Sequence, residues 1–158
     1  MVGKVGEYSR RQFTQGTAGI LAFAAVASPL LTFPAMATPD AVAAAIRKTF
    51  GDKPMASGKI KLDLPSIAEN GLVVPLNFEI ESPMTEKDYV KSVSFYADGN
   101  PNPQIADFHF SPMSPKAAAQ IRIRLAKTQN IVAVAEMSDG KLYTAKKEVK
   151  VTIGGCGG

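Results

Sequence analysis

An all-β fold, an immunoglobulin-like β-sandwich with a short N-terminal helix and a flexible C-terminal glycine arm, follows from three features of the sequence. Apolar and polar residues alternate with period two over most of the chain after Lys59. Turn signals punctuate that alternation at short intervals, as in sandwiches of this kind. The chain then ends in Gly154-Gly155-Cys156-Gly157-Gly158, five residues with almost no conformational preference.

Residues 1–37 read as an address. Ser9-Arg10-Arg11-Gln12-Phe13 sets a twin arginine ahead of an apolar run from about Gly16 to Phe33, and Ala35-Met36-Ala37 follows as a small-x-small cleavage site. The run is rich in Ala and Gly and broken by Pro29, so it makes a poor membrane anchor. Cleavage after Ala37 is expected, with export in the folded state to the periplasm and no stable membrane anchor.

Residues 38–153 form the expected sandwich domain. Ala41–Phe50 has helical character, with Pro39 in the first turn, Gly51 at the stop, and Arg47 and Lys48 near the C-terminal end where cations suit the helix dipole. Ala41, Ala44, Ala45 and Ile46 are expected to share its apolar face. Strands then follow on the alternations Leu76/Phe78/Ile80, Val93/Phe95/Ala97, Ala106/Phe108/Phe110 and Ile121/Ile123/Leu125. Ile131–Ala135 is apolar on both faces, which predicts a central strand. Asp139-Gly140 reads as a hairpin turn into Lys141–Ala145, and Val149, Val151 and Ile153 close the series. Between these runs stand Asp63-Leu64-Pro65, Asn70-Gly71, Ser82-Pro83, Gly99-Asn100-Pro101-Asn102-Pro103 and Ser111-Pro112, all read as turns.

Residues 154–158 form the arm, and Cys156 is the only cysteine of the chain. A structural cysteine would be buried as a small hydrophobe, and an internal disulfide needs a second thiol. A thiol set among four glycines next to the C-terminus suits handling by other proteins. From a last strand ending at Ile153, it could reach about 10 Å into a narrow site. An intermolecular disulfide, giving a linked dimer of an exported binding or structural module, is the alternative.

Other chemistries find little support. The net charge is +4, of which Lys4, Arg10, Arg11 and Glu7 in the first segment account for +2, so the remainder is only weakly basic and nucleic acid is not an expected partner. His109, the one histidine, alternates with Phe108 and Phe110 and is expected on the surface beside Asp107 rather than as a catalytic base. Arg122 and Arg124 are expected on a solvated polar face rather than in contact with an anionic substrate. Neither a metal-ligand spacing nor a phosphate-cradling loop is present, and no catalytic or cofactor-binding residues are expected. Without a local activator, an ordinary thiol is about 3% thiolate at pH 7. The chain therefore reads as a substrate-bearing arm on which partners act.

From the twin-arginine signal through Ala68-Glu69-Asn70-Gly71, Val74-Pro75-Leu76, Ser82-Pro83-Met84, Arg122-Ile123-Arg124-Leu125-Ala126 and Asp139-Gly140 to, most specifically, Val149–Gly158 with its Gly-Gly-Cys-Gly-Gly ending, the sequence resembles the SoxY family. The resemblance implies a non-enzymatic sulfur carrier of the thiosulfate-oxidising Sox system, with Cys156 as the covalent attachment site and Gly154, Gly155, Gly157 and Gly158 as a swinging arm. It also implies a SoxZ partner in a heterodimer and three enzymes that act in turn: a haem-containing ligating enzyme, a sulfate-releasing hydrolase and a sulfane dehydrogenase. No separate cofactor is implied, because the sulfur intermediates are bound covalently.

Overall fold

Thr38-Pro39-Asp40 starts a helix for local reasons. In the computed structural model, which describes residues 36–155, helix α1 spans Pro39–Phe50. The Thr38 side chain accepts the Ala41 amide at 3.2 Å, and Pro39 occupies the first turn, where its missing N–H costs nothing. Gly51, at φ 76°, stops the helix and donates its amide to the Arg47 carbonyl at 2.9 Å. The buried face is Val42, Ile46 and Phe50, not the alanine-led face expected. Larger apolar side chains at i, i+4 and i+8 bury more surface, so they orient the helix and leave Ala44 outward.

Nine strands follow: β1 Met55–Ala56, β2 Ile60–Asp63, β3 Ile67–Asn70, β4 Val74–Ile80, β5 Val90–Ala97, β6 Gln104–His109, β7 Ala117–Ile123, β8 Gln129–Met137 and β9 Leu142–Ile153. The smaller sheet has the order β2-β4-β7, and the larger has β1-β9-β8-β5-β6 with β3 also paired to β9. All pairings are antiparallel except those of β1 and β3, which run parallel to β9. Splitting the N-terminal edge between the two sheets, β2 on β4 and β3 on β9, is how this sandwich closes one side. The expected fold class holds.

Between the sheets, Phe78 of β4 packs on Phe95 of β5 and Phe108 of β6, with ring centroids 4.9 and 5.1 Å apart, and Phe95 meets Phe108 edge-on at 6.1 Å. Aromatic pairs of this kind add about 1 kcal/mol each beyond their buried area. Leu76, Val93, Leu125, Ile131 and Val149 complete the interior around them. Strand β8 is central, between β9 and β5, as its two apolar faces require. Its Ile131, Ala133 and Ala135 face the interior, while Val134 lies with Tyr96 and Leu142 beneath Val42, Ile46 and Phe50 of the helix. α1 thus covers the outer face of the larger sheet. That cover explains why β5 is buried at both Phe95 and Tyr96 where simple alternation would expose the latter.

The N-terminal segment read as an export signal lies outside the described residues, apart from Met36-Ala37. Among the described residues no helix is long and apolar enough to cross a membrane.

Candidate functional site at the root of the C-terminal tail

Strand β9 outruns its neighbour. Strand β8 pairs with it from Leu142 to Val149, and from Lys150 to Ile153 the partner is β3 instead. Thr128, in the β7–β8 loop, secures the change-over: its hydroxyl accepts the Val151 amide at 2.9 Å. Ser66 does the same for Lys150, whose amide reaches the Ser66 carbonyl at 2.9 Å.

Beyond Ile153 the chain enters a junction built from backbone alone. The Gly71 amide donates to the Ile153 carbonyl at 2.8 Å, the Leu125 amide to the Gly71 carbonyl at 2.8 Å, and the Gly155 amide to the Leu125 carbonyl at 3.0 Å. Three segments far apart in sequence are linked in series: the β3–β4 turn, the loop after β7 and the tail. Glycine is required here by space. A Cβ on Gly71 would lie 2.2 Å from the Leu125 carbonyl oxygen and 2.7 Å from the Gly155 nitrogen. One on Gly154 would lie 2.2 Å from the Ala126 carbonyl oxygen, and one on Gly155 would lie 2.9 Å from the Gly71 backbone. None of the three has a positive φ.

Gly154 and Gly155, expected as part of a flexible arm, are therefore fitted into the body of the domain, and Gly155 is buried. The remaining arm residues, Gly157 and Gly158, and the attachment residue Cys156 lie outside the described residues.

A buried polar network holds the receiving loop in place. Asn100 and Gln129 are each 4% exposed. Asn100 donates to the Arg124 carbonyl at 2.8 Å and accepts the Ala126 amide at 3.0 Å and the Gln129 side-chain amide at 2.9 Å. Gln129 accepts the Gly99 amide at 2.8 Å and donates to the Lys127 carbonyl at 3.1 Å. Residues 124–127 are thus gripped on both sides, which sets the direction of the carbonyls that meet Gly154 and Gly155. On the other wall, the Asn70 side chain accepts the Leu72 amide at 2.9 Å and shapes the turn that carries Gly71. Sequence reasoning placed Asn100 and Gly71 in turns and assigned them nothing more. Two of the resembling segments, Ala68–Gly71 and Arg122–Ala126, are the two that meet the tail, and that coincidence was the available signal.

The other residues considered lie elsewhere. His109 and Asp107 are exposed on the edge strand β6, and Asp107 accepts the Gln104 side-chain amide. His109 stands in a register row with Ser92, Glu136 and Leu142, at the start of β9. Ile153 is eleven residues further along that strand, about 35 Å away. The histidine and the tail root are not brought together. Arg122 and Arg124 are exposed, as expected, and line an open cleft of about 320 Å³ with Asn102 and Gln104. Among the described residues no group of three or more His, Cys, Asp or Glu side chains is placed to hold a metal ion.

The family described as "Sulfur oxidation protein SoxY" matches residues 46–156. The chain belongs to the SoxY family. Among solved structures, the sulfur carrier protein SoxY from Chlorobium limicola f. thiosulfatophilum is 36% identical, with a TM-score of 0.60 over 71% of this chain and 96% of that chain. A superoxide reductase (neelaredoxin) from Ignicoccus hospitalis has a TM-score of 0.54 at 20% identity, covering 73% of this chain and 94% of that one, and shares the fold. Comparison with curated proteins gave no match. The SoxY family match runs through the aromatic core and the glycine junction and ends on the single cysteine, at residue 156.

Proposed function

We propose that the protein is a periplasmic sulfur carrier of thiosulfate oxidation, exported through a twin-arginine signal at residues 1–37 and holding its cargo covalently on Cys156. The observation that carries this reading is one thiol immediately beyond a glycine junction in a SoxY-family sandwich. The Chlorobium relative, a sulfur carrier protein, supports it. The distance between His109 and the tail root also argues against a cysteine–histidine pair within this chain.

The chemistry is then supplied by partners. A haem-containing ligating enzyme joins thiosulfate to the Cys156 sulfur: the S–H bond breaks, an S–S bond forms, one proton leaves and two electrons pass one at a time by way of the enzyme's haem to an electron acceptor. A hydrolase adds water to the terminal sulfonate sulfur and releases sulfate, so the S–S bond to that sulfur breaks and a persulfide stays on Cys156. A sulfane dehydrogenase oxidises the outer sulfur to a sulfonate, taking three oxygen atoms from three waters, releasing six protons and passing six electrons to an acceptor. The carrier itself needs no cofactor, and a SoxZ-like subunit completes it as a heterodimer.

Intact-mass measurement tests the reading. Incubation with thiosulfate, the ligating enzyme and a one-electron acceptor in excess, such as ferricyanide, should add one S2O3 unit, removable by reductant and absent in Cys156→Ser. An unchanged mass would refute the carrier role. A permanent disulfide-linked dimer needed for function, seen on non-reducing electrophoresis of freshly isolated protein, would favour the binding-module alternative.

A further inference from the structure

We infer that Gly71, held against Leu125 and backed by Asn100 and Gln129, is a positioning residue for the tail: the junction fixes the tail root up to Gly155, the residue before Cys156. This rests on the carrier reading of Cys156 and adds to it the place where the body ends and the arm begins. Glycine at 154 and 155 is commonly explained by freedom of motion, yet a Cβ at either position would collide with backbone of the receiving loop or turn. Gly71 is the other side of that close approach. It lies more than eighty residues from the tail and is just as intolerant of a side chain, with 2.2 Å to the Leu125 oxygen and 2.7 Å to the Gly155 nitrogen. The Leu125 oxygen demands glycine at 71 in any case; the 2.7 Å approach to the Gly155 nitrogen is the further demand that comes from the tail.

The backing is of the kind that sets direction. Asn100 and Gln129 are buried, and their side chains are bonded to the loop at Arg124, Ala126 and Lys127. Truncating either would leave polar groups without partners, so these side chains strongly favour one loop arrangement. The tail meets that loop through the single Gly155 bond and the close fit of Gly154. Cys156 is the next residue, and consecutive Cα atoms are about 3.8 Å apart. A sulfur attached there is presented from a root of known place, and an enzyme receiving it meets one starting geometry. Release of Gly154 and Gly155 would lengthen the tether by two residues and lose that pre-organisation.

The test compares the full-length chain with Gly71→Ala and Gly154→Ala. Amide hydrogen exchange at Gly155 should be protected in the unaltered protein and at least about tenfold faster in both variants, the change expected for loss of one hydrogen bond. The kcat/KM for loading thiosulfate onto Cys156 by the ligating enzyme should fall in both by a similar factor, about tenfold. The rate of Cys156 alkylation by iodoacetamide should stay equal or rise, which a damaged or buried thiol would not show. Gly154→Ala lies at the end of the chain and serves where Gly71→Ala fails to fold. An unprotected Gly155 in unaltered protein that loads normally, or wild-type loading in a variant that has lost protection, would overturn the positioning role and leave the carrier reading standing. Failure of the unaltered protein to take up thiosulfate at all would overturn the carrier reading, and the positioning role with it, even with Gly155 protected.

Discussion

Strand β9 carries glycine just beyond each end. Before its first residue, Leu142, the Ser138–Lys141 turn places Gly140 at φ 81°, with nothing within 4 Å of where a Cβ would be. After its last, Ile153, Gly154 has a Cβ position 2.2 Å from the Ala126 carbonyl oxygen and no left-handed backbone. The first glycine is there for its dihedral angles and the second for its lack of volume. Ser138 ties the turn to Lys87 and Tyr89, but the demand on Gly140 comes from its own backbone angles, whereas the demand on Gly154 comes from a loop far away in sequence. Identical residue types at two ends of one strand thus answer different physical demands, and only one of those demands involves the rest of the molecule.

The difference can be broken at several points. Gly71→Ala should have the largest effect, about 2–3 kcal/mol of lost stability, because its new methyl meets backbone that has no rotamer through which to yield. Urea unfolding measures this, and a loss below about 0.5 kcal/mol would mean that the junction gives way freely. Asn100→Ala should follow at about 2 kcal/mol, since it strands the Arg124 carbonyl, the Ala126 amide and the Gln129 side chain. The Gly155 amide should also lose protection in that variant, which exchange mass spectrometry can read.

Gly140→Ala should cost about 1 kcal/mol, the usual penalty for a side chain at positive φ. Its effect should stop at the turn, with Gly155 exchange unchanged; altered exchange there would erase the contrast between the two ends. The smallest effect belongs to the Asp139–Lys141 pair in that same turn, joined at 2.8 Å. The side-chain hydrogen bond from Lys141 holds the Asp139 carboxyl below its ordinary pKa, and the Asp139 carboxylate holds Lys141 above its own. A lowered acid contributes stability above its unfolded pKa and loses it as pH falls through the folded value. A raised base contributes below its unfolded pKa and loses it as pH rises through the folded value. The pair therefore helps between the carboxylate and ammonium ranges. Both groups are exposed, so Asp139→Asn should lower the thermal midpoint only slightly at neutral pH and not at all in strong acid.

Much of the fold was legible because the signals are local. Thr38-Pro39 and Gly51 bound the helix through their own backbone and side-chain chemistry. Leu76, Phe78 and Ile80 alternate because their strand has one face in the core. The face of α1 was harder to read, since an alanine-rich helix offers several weakly apolar sides and the sheet beneath selects Val42, Ile46 and Phe50. Strand β3 escaped notice because Ile67–Asn70 has little alternation of its own and is made a strand by pairing with β9. The role of Asn100 was hidden in a run of turn residues, where only the folded chain shows its side chain turned inward onto Arg124 and Ala126.

What the amino-acid order decided unaided was a β-rich body, a capped helix before it, and a solitary sulfhydryl at the far end. Those follow from side-chain periodicity, cap chemistry and residue count, each contained within a few neighbouring positions. Tertiary structure alone decided that Gly154 and Gly155 belong to the body. That outcome depends on residues 71, 125 and 155 meeting backbone to backbone, and no local pattern encodes a contact made of missing side chains.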